Sequence, residues 1–157
     1  MILERLEEIE KKSKKNNMKW NKAKHDCRRK YLEELTKINK LKKKIFFNTF
    51  RDTKEYVNLT SLAASKAILK KVRMSHDYKV TVFIDGLRKT EINAFAKELR
   101  KLKVRTKKIR GVKKDENNAF IRLVDSICGL VRDAEDGKAW AKKILDKFNK
   151  RKIITSL

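Results

Sequence analysis

Apolar residues recur along the chain in two patterns that predict different elements. A run from Val80 to Ile84, apolar except for Thr81, is short, β-branched and aromatic, which predicts a strand buried on both faces. Elsewhere apolar residues return every three or four positions, which is typical of amphipathic helices. The clearest helical stripe follows the run and consists of Ile92, Phe95, Ala96, Leu99 and Leu102. The chain therefore alternates between helices and short strands.

These two patterns give an order of elements. Helices are predicted at about 1–14, 22–43, 60–72, 90–102, 118–134 and 140–148. Strands are predicted at 45–50, 80–84 and 104–110. The strand–helix–strand unit from Lys79 to Arg110 predicts a right-handed parallel crossover. We therefore expect an α/β fold with a small, mostly parallel central sheet flanked by helices.

The predicted organisation has three parts. Residues 1–44 form a basic helical arm, 45–137 form the α/β core, and 138–157 form a C-terminal helix with a basic tail. The chain has four glycines and no proline, so tight turns are few and helix is favoured.

Net charge narrows the class of partner. The chain has 44 Lys plus Arg against 20 Asp plus Glu, a formal charge of +24. Such an excess predicts a polyanionic partner, most simply DNA or RNA, with an anionic membrane surface as the weaker alternative. No apolar stretch approaches the ~20 residues that span a bilayer, and the N-terminus does not resemble a signal peptide. We expect a cytoplasmic protein whose Cys27 and Cys128 form no disulfide.

Asp85 is the first candidate functional residue. It ends the apolar run, and in α/β sheets ligands bind just beyond the carboxyl ends of buried strands. A turn is the competing interpretation, because Asp85-Gly86 is a common turn pair.

Asp125 is the second candidate. It lies at the margin of a helical stripe formed by Phe120, Ile121, Val124, Ile127, Cys128 and Val131. A boundary carboxylate paired with a lysine or arginine is the competing interpretation. Gly129, one turn on, permits close backbone approach. We expect Arg122 and Arg132 to be solvated helix charges, and Trp20 and Trp140 to be packing residues rather than stacking platforms for bases.

An ordered set of segments resembles the "domain of unknown function 3800" family, which is similar to the RNase H-like superfamily. The resemblance covers about residues 18–150 and is carried by Val-Phe-Ile-Asp85-Gly, Lys-Glu-Tyr56-Val-Asn-Leu-Thr60, Val-Arg-Gly111-Val-Lys-Lys-Asp115-Glu116 and Ile121-Arg-Leu-Val-Asp125-Ser-Ile-Cys-Gly129-Leu-Val-Arg132-Asp. It implies an RNase H-like fold. It also implies that Asp85 and Asp125 are catalytic carboxylates that bind Mg²⁺ or Mn²⁺, with Asp115 and Glu116 as auxiliary ligands.

The chain departs from that family at one point. The family opens with a strand that ends in Asp-Glu-Ser-Gly and supplies a further carboxylate, and this sequence contains no Asp-Glu-Ser-Gly. We therefore expect a C-terminal part of a longer family member, in which the metal site is incomplete.

Two main hypotheses follow. The first is a metal-dependent nuclease-type domain that cleaves phosphodiesters with carboxylate-bound divalent ions. The alternative is a non-catalytic, basic nucleic-acid-binding module. A third is a scaffold whose basic faces bind an acidic protein. The residues expected to contact nucleic acid are Lys107, Lys108, Arg110, Lys113, Lys114 and Arg132.

Overall fold

Helices dominate the secondary structure, with short strands between them. The computed structural model describes residues 1–72, 77–112 and 118–157. Its six α-helices are α1 (Ile2–Lys12), α2 (His25–Leu35), α3 (Tyr56–Val72), α4 (Lys89–Lys101), α5 (Ala119–Glu135) and α6 (Ala139–Lys150). Its four strands are β1 (Ile45–Phe47), β2 (Val80–Ile84), β3 (Thr106–Gly111) and β4 (Ile154–Ser156). The expected α/β class is confirmed at this level.

The chain divides into two compact units. Met1–Ile45 and Lys114–Thr155 form one, which we call the helical unit. Phe46–Lys113 and Ser156–Leu157 form the other, which we call the sheet unit. This division differs from the predicted one, because α5 groups with the N-terminal helices rather than with β2 and β3. The predicted arm at 1–44 is therefore part of a folded unit.

Two two-stranded sheets are present in the described residues. β1 pairs with β4, and β2 pairs with β3. The β2–β3 pair is parallel, as the strand–helix–strand pattern predicts, with Thr81 opposite Lys108 and Phe83 opposite Arg110. A register shift after Val80 leaves Lys107 as the extra residue of β3, which is a β-bulge.

One face of the β2–β3 sheet supplies the core of the sheet unit. Ile84 of β2, Phe95 and Leu99 of α4, and Val104 are buried together. Side chains packed against them come from α3, β2, β3 and the segment before α4, namely Val57, Ala64, Ile68, Val80, Val82, Leu87 and Ile109. The tyrosine hydroxyl of Tyr56 in α3 donates a hydrogen bond to Glu91 of α4, which ties the two helices together.

The prediction that β2 is buried on both faces is wrong. Thr81 is exposed, and Phe83 is 49% exposed. The helices cover only the face that carries Val82 and Ile84. Since strand residues alternate between faces, every second side chain of β2 points away from the core. β3 is the more exposed of the two strands, and three of its six residues are basic: Lys107, Lys108 and Arg110.

Several predicted helix boundaries are also wrong. α2 ends at Leu35 and is followed by a short 3-10 helix at Asn39–Leu41, so it does not continue to residue 43. α3 begins at Tyr56, four residues before the predicted start at about residue 60. α4 begins at Lys89, where Glu91 accepts a hydrogen bond from the Arg88 amide at 2.6 Å. The bounds of α2 and α3 differ most from the predicted ranges, whereas the start of α4 differs by one residue.

The helical unit encloses charged side chains as well as apolar ones. Arg122 is 3% exposed, and its guanidinium donates to both carboxylate oxygens of Glu10 at 2.7 Å. Lys15 is fully buried, with its ammonium 3.8 Å from the Glu10 carboxylate and 4.9 Å from the centre of the Tyr31 ring. The pKa of Tyr31 is raised far above its usual range, mainly because the side chain is buried. The expectation that Arg122 is a solvated charge is therefore wrong.

Candidate functional site

Asp85 lies immediately after β2, in the sheet unit, and is exposed. Gly86 follows with a φ of +84°, a left-handed conformation that glycine adopts without strain. The turn interpretation of Asp85-Gly86 is thus supported. The Asp85 side chain is exposed in this turn, so its carboxylate oxygens are accessible to solvent at the end of β2.

Asp125 lies in the helical unit, on α5, and is half-buried, as its place at the margin of the helical stripe predicts. Its carboxylate accepts a hydrogen bond of 2.7 Å from the backbone amide of Trp20. The partner is therefore a backbone N–H, a contact that neither interpretation of Asp125 included. The bond fixes the start of the short 3-10 helix Trp20–Lys22 against α5.

Gly129 also contributes to the packing of Trp20 against α5. A Cβ at this position would overlap the indole ring of Trp20, so the close approach predicted for Gly129 is confirmed. Trp20 is 2% exposed and stacks on Trp140 with ring centres 6.3 Å apart. The Arg28 guanidinium also lies over the Trp20 ring, with its central carbon 5.0 Å from the ring centroid. Asp125 and Gly129 together seat one buried tryptophan, which gives the Asp-x3-Gly spacing a structural role.

The two carboxylates that were expected to bind metal lie in different units: Asp85 belongs to the sheet unit and Asp125 to the helical unit. Within residues 1–72, 77–112 and 118–157, no three His, Cys, Asp or Glu side chains are grouped as a metal ion would require. Asp115 and Glu116, the expected auxiliary ligands, lie outside the described residues. The metal hypothesis stays a prediction from the resemblance.

A different candidate site lies on the β2–β3 sheet. Thr81, Phe83, Lys108 and Arg110 share the side of the sheet opposite the core, and we call this surface the open face. All four residues are exposed. The register places Phe83 directly beside Arg110, and Thr81 beside Lys108. An aromatic ring and two cations therefore stand on neighbouring strands, and the backbones of such strands lie about 4.8 Å apart.

The other predicted contact residues are distributed more widely. Lys107 is exposed at the bulge of β3, and Arg132 is exposed on α5 of the helical unit. Lys113 and Lys114 lie outside the described residues. Positive charge is shared between the units. The sheet unit has 18 Lys plus Arg against 6 Asp plus Glu, a formal +12, and the helical unit has 26 against 14, also +12.

Phe83 is a functional candidate that the sequence pattern did not indicate. It stands in the middle of an apolar run, which predicted a buried side chain. The signal that would have revealed it lies on β3, where Lys108 and Arg110 flank Ile109. This alternation marks one face of β3 as solvent-exposed, and a residue paired with Arg110 must share that face.

Comparison with known family models, curated proteins and solved structures found no match for this chain. Across the described residues, no helix has the length and apolarity needed to cross a membrane. Cys27 and Cys128, the only cysteines in the sequence, are both free, as expected.

Proposed function

We propose that this protein is a basic nucleic-acid-binding module. The observation that carries the proposal is the formal charge of +24, combined with exposed cations on a sheet face that the protein's own helices leave uncovered. Phosphate backbones carry regularly spaced negative charge, and lysine and arginine bind them while releasing condensed counterions. We also propose that the protein acts in the cytoplasm.

Binding to labelled DNA and RNA oligonucleotides, followed by fluorescence anisotropy, tests this function. We expect affinity to fall by about tenfold or more between roughly 50 and 200 mM salt, because each phosphate contact releases a counterion. Absence of binding at low salt would contradict the proposal. Polyglutamate is the matched probe for the acidic-protein alternative: binding as tight as that of the oligonucleotides would favour a protein partner.

A charge-matched pair of triple variants locates the binding surface. Replacing Lys107, Lys108 and Arg110 of β3 with glutamine should weaken binding by about tenfold or more. The control replaces Lys142, Lys143 and Lys147, exposed residues of α6, and removes the same charge from the helical unit. Equal losses in the two variants would mean that bulk charge, rather than β3, governs binding.

The nuclease-type activity is the second candidate, favoured by one observation. Asp85 is exposed beyond the carboxyl end of β2, where the open face also ends. The RNase H-like fold and the divalent metal remain expectations of the resemblance. Binding has more support, because the cations of the open face are exposed, whereas the Asp125 carboxylate already accepts a hydrogen bond from the Trp20 amide.

Cleavage of end-labelled oligonucleotides with Mg²⁺ or Mn²⁺ tests the second candidate, by this chain and by any longer protein that contains it. Asp85→Asn and Asp125→Asn should each abolish metal-dependent cleavage, whereas Asp136→Asn, an exposed aspartate at the end of α5, should not. Unchanged cleavage in the Asp85 and Asp125 variants would contradict the hypothesis.

A further inference from the structure

We propose that the open face binds single-stranded nucleic acid, with Phe83 stacking on an unpaired base and with Lys108 and Arg110 contacting the adjacent phosphates. This inference rests on the proposed function and deepens it. It names the form of nucleic acid that is bound and assigns a role to a residue that carries no charge.

The position of Phe83 is the first support. A phenylalanine in the centre of a strand normally packs in a core, but here the ring is 49% exposed while its neighbours Val82 and Ile84 face the helices. The other three residues of the open face, Thr81, Lys108 and Arg110, are exposed as well. The ring therefore presents a flat apolar surface to solvent at a site where the strand holds it in place.

The flanking charges are the second support. Arg110 is the register partner of Phe83, and Lys108 stands two residues before it on the same face. Both side chains are longer than the phenylalanine ring and carry their charge at the tip. A nucleotide whose base lies on Phe83 would bring its phosphate within reach of these cations. Aromatic rings beside basic side chains are the general means by which proteins hold unpaired bases.

The geometry favours a single strand over a duplex. In a duplex both faces of each base are occupied by neighbouring bases, so an aromatic side chain has no face to stack on unless the helix is opened. An unpaired base offers a free face to Phe83.

Fluorescence anisotropy with three labelled probes of equal length tests the inference: single-stranded DNA, single-stranded RNA and a DNA duplex. For Phe83→Leu we expect affinity for one or both single strands to fall by about fivefold or more, because stacking is lost while an apolar side chain remains. Duplex affinity should stay within about twofold, because the charge is unchanged. Phe83→Tyr, which keeps the ring, should restore single-strand binding. Comparing the two single-stranded probes distinguishes DNA from RNA.

Phe50→Leu is the matched control, because Phe50 lies in the same unit and is 39% exposed but stands outside the open face. It should leave all three affinities unchanged. Equal losses for single strands and duplex in Phe83→Leu, or no loss at all, would overturn the inference while leaving nucleic-acid binding intact. Failure of the wild-type protein to bind any probe would instead overturn the proposed function.

Discussion

The two units use their charged residues in opposite ways. In the helical unit, Glu10, Arg122 and Lys15 are buried, and the Glu10 carboxylate pairs with both cations. In the sheet unit, Lys108 and Arg110 stand on an exposed face beside Phe83. The formal charge is +12 in each, so composition does not separate them. Position decides whether a charge stabilises the fold or is available to a ligand.

The two units also differ in the number of apolar residues that they bury. Of the twenty-five buried apolar residues that the structure describes, the sheet unit has four: Ile84, Phe95, Leu99 and Val104. The helical unit has the other twenty-one, of which Trp20 and Tyr31 have the largest side chains. A sheet covered on one face buries fewer side chains, so the open face comes with a smaller core. The surface that we propose for binding thus belongs to the unit with less apolar burial.

Arg122→Met is the variant with the largest expected effect on this comparison. It removes both hydrogen bonds to the buried Glu10 carboxylate, and breaking a buried ion pair from one side lowers the free energy of unfolding by about 3–5 kcal/mol. Urea unfolding followed by tryptophan emission measures this loss. Trp20 and Trp140 are the only tryptophans, and both belong to the helical unit.

Arg110→Met is the control for Arg122→Met, since the same substitution is made at an exposed residue of the open face. It should change stability by no more than about 0.5 kcal/mol while weakening nucleic-acid binding. A loss below about 1 kcal/mol in Arg122→Met would show that buried charge is not what holds the helical unit together.

Leu99→Ala tests the smaller core of the sheet unit. Leu99 is fully buried, and truncating such a leucine costs about 2–5 kcal/mol. Hydrogen exchange measured by mass spectrometry should show faster exchange in α4, β2 and β3. The urea midpoint seen by tryptophan emission should stay in place, because the reporters lie in the other unit. Leu62→Ala, at a leucine that is 39% exposed on α3, should change neither measurement. An equal shift of both signals would show that the two units unfold together.

The sequence predicted the parts of this fold that depend on local spacing. The apolar stripe of α4 and the parallel pairing of β2 with β3 follow from residues close together in the chain. Buried Arg122 could not be foreseen, because its partner Glu10 lies 112 residues away. A charged side chain looks the same in sequence when it is solvated and when it is paired in a core.

The candidate site was predicted in part, for a related reason. The exposure of Lys107, Lys108 and Arg110 agrees with the basic pattern of β3. Phe83 was missed because an apolar run does not show how many layers of the protein cover a strand. Asp125 was placed correctly at the helix margin, but its bond to the Trp20 amide depends on tertiary packing between distant segments.

Gly129→Ala has the smallest expected effect and tests how tightly the helical unit is packed. The added methyl group would overlap the Trp20 ring, which is 2% exposed and therefore has little room to move. Alanine favours helix over glycine by about 1 kcal/mol, whereas overpacking a core costs about 1–3 kcal/mol. We expect a net loss of up to about 2 kcal/mol, together with a shift in native tryptophan emission. Val124→Ala, at a residue of the same helix that is 54% exposed, is the control and should leave the emission unchanged. A gain in stability in Gly129→Ala would mean that the indole yields to the methyl group, and that Gly129 is not needed to seat Trp20.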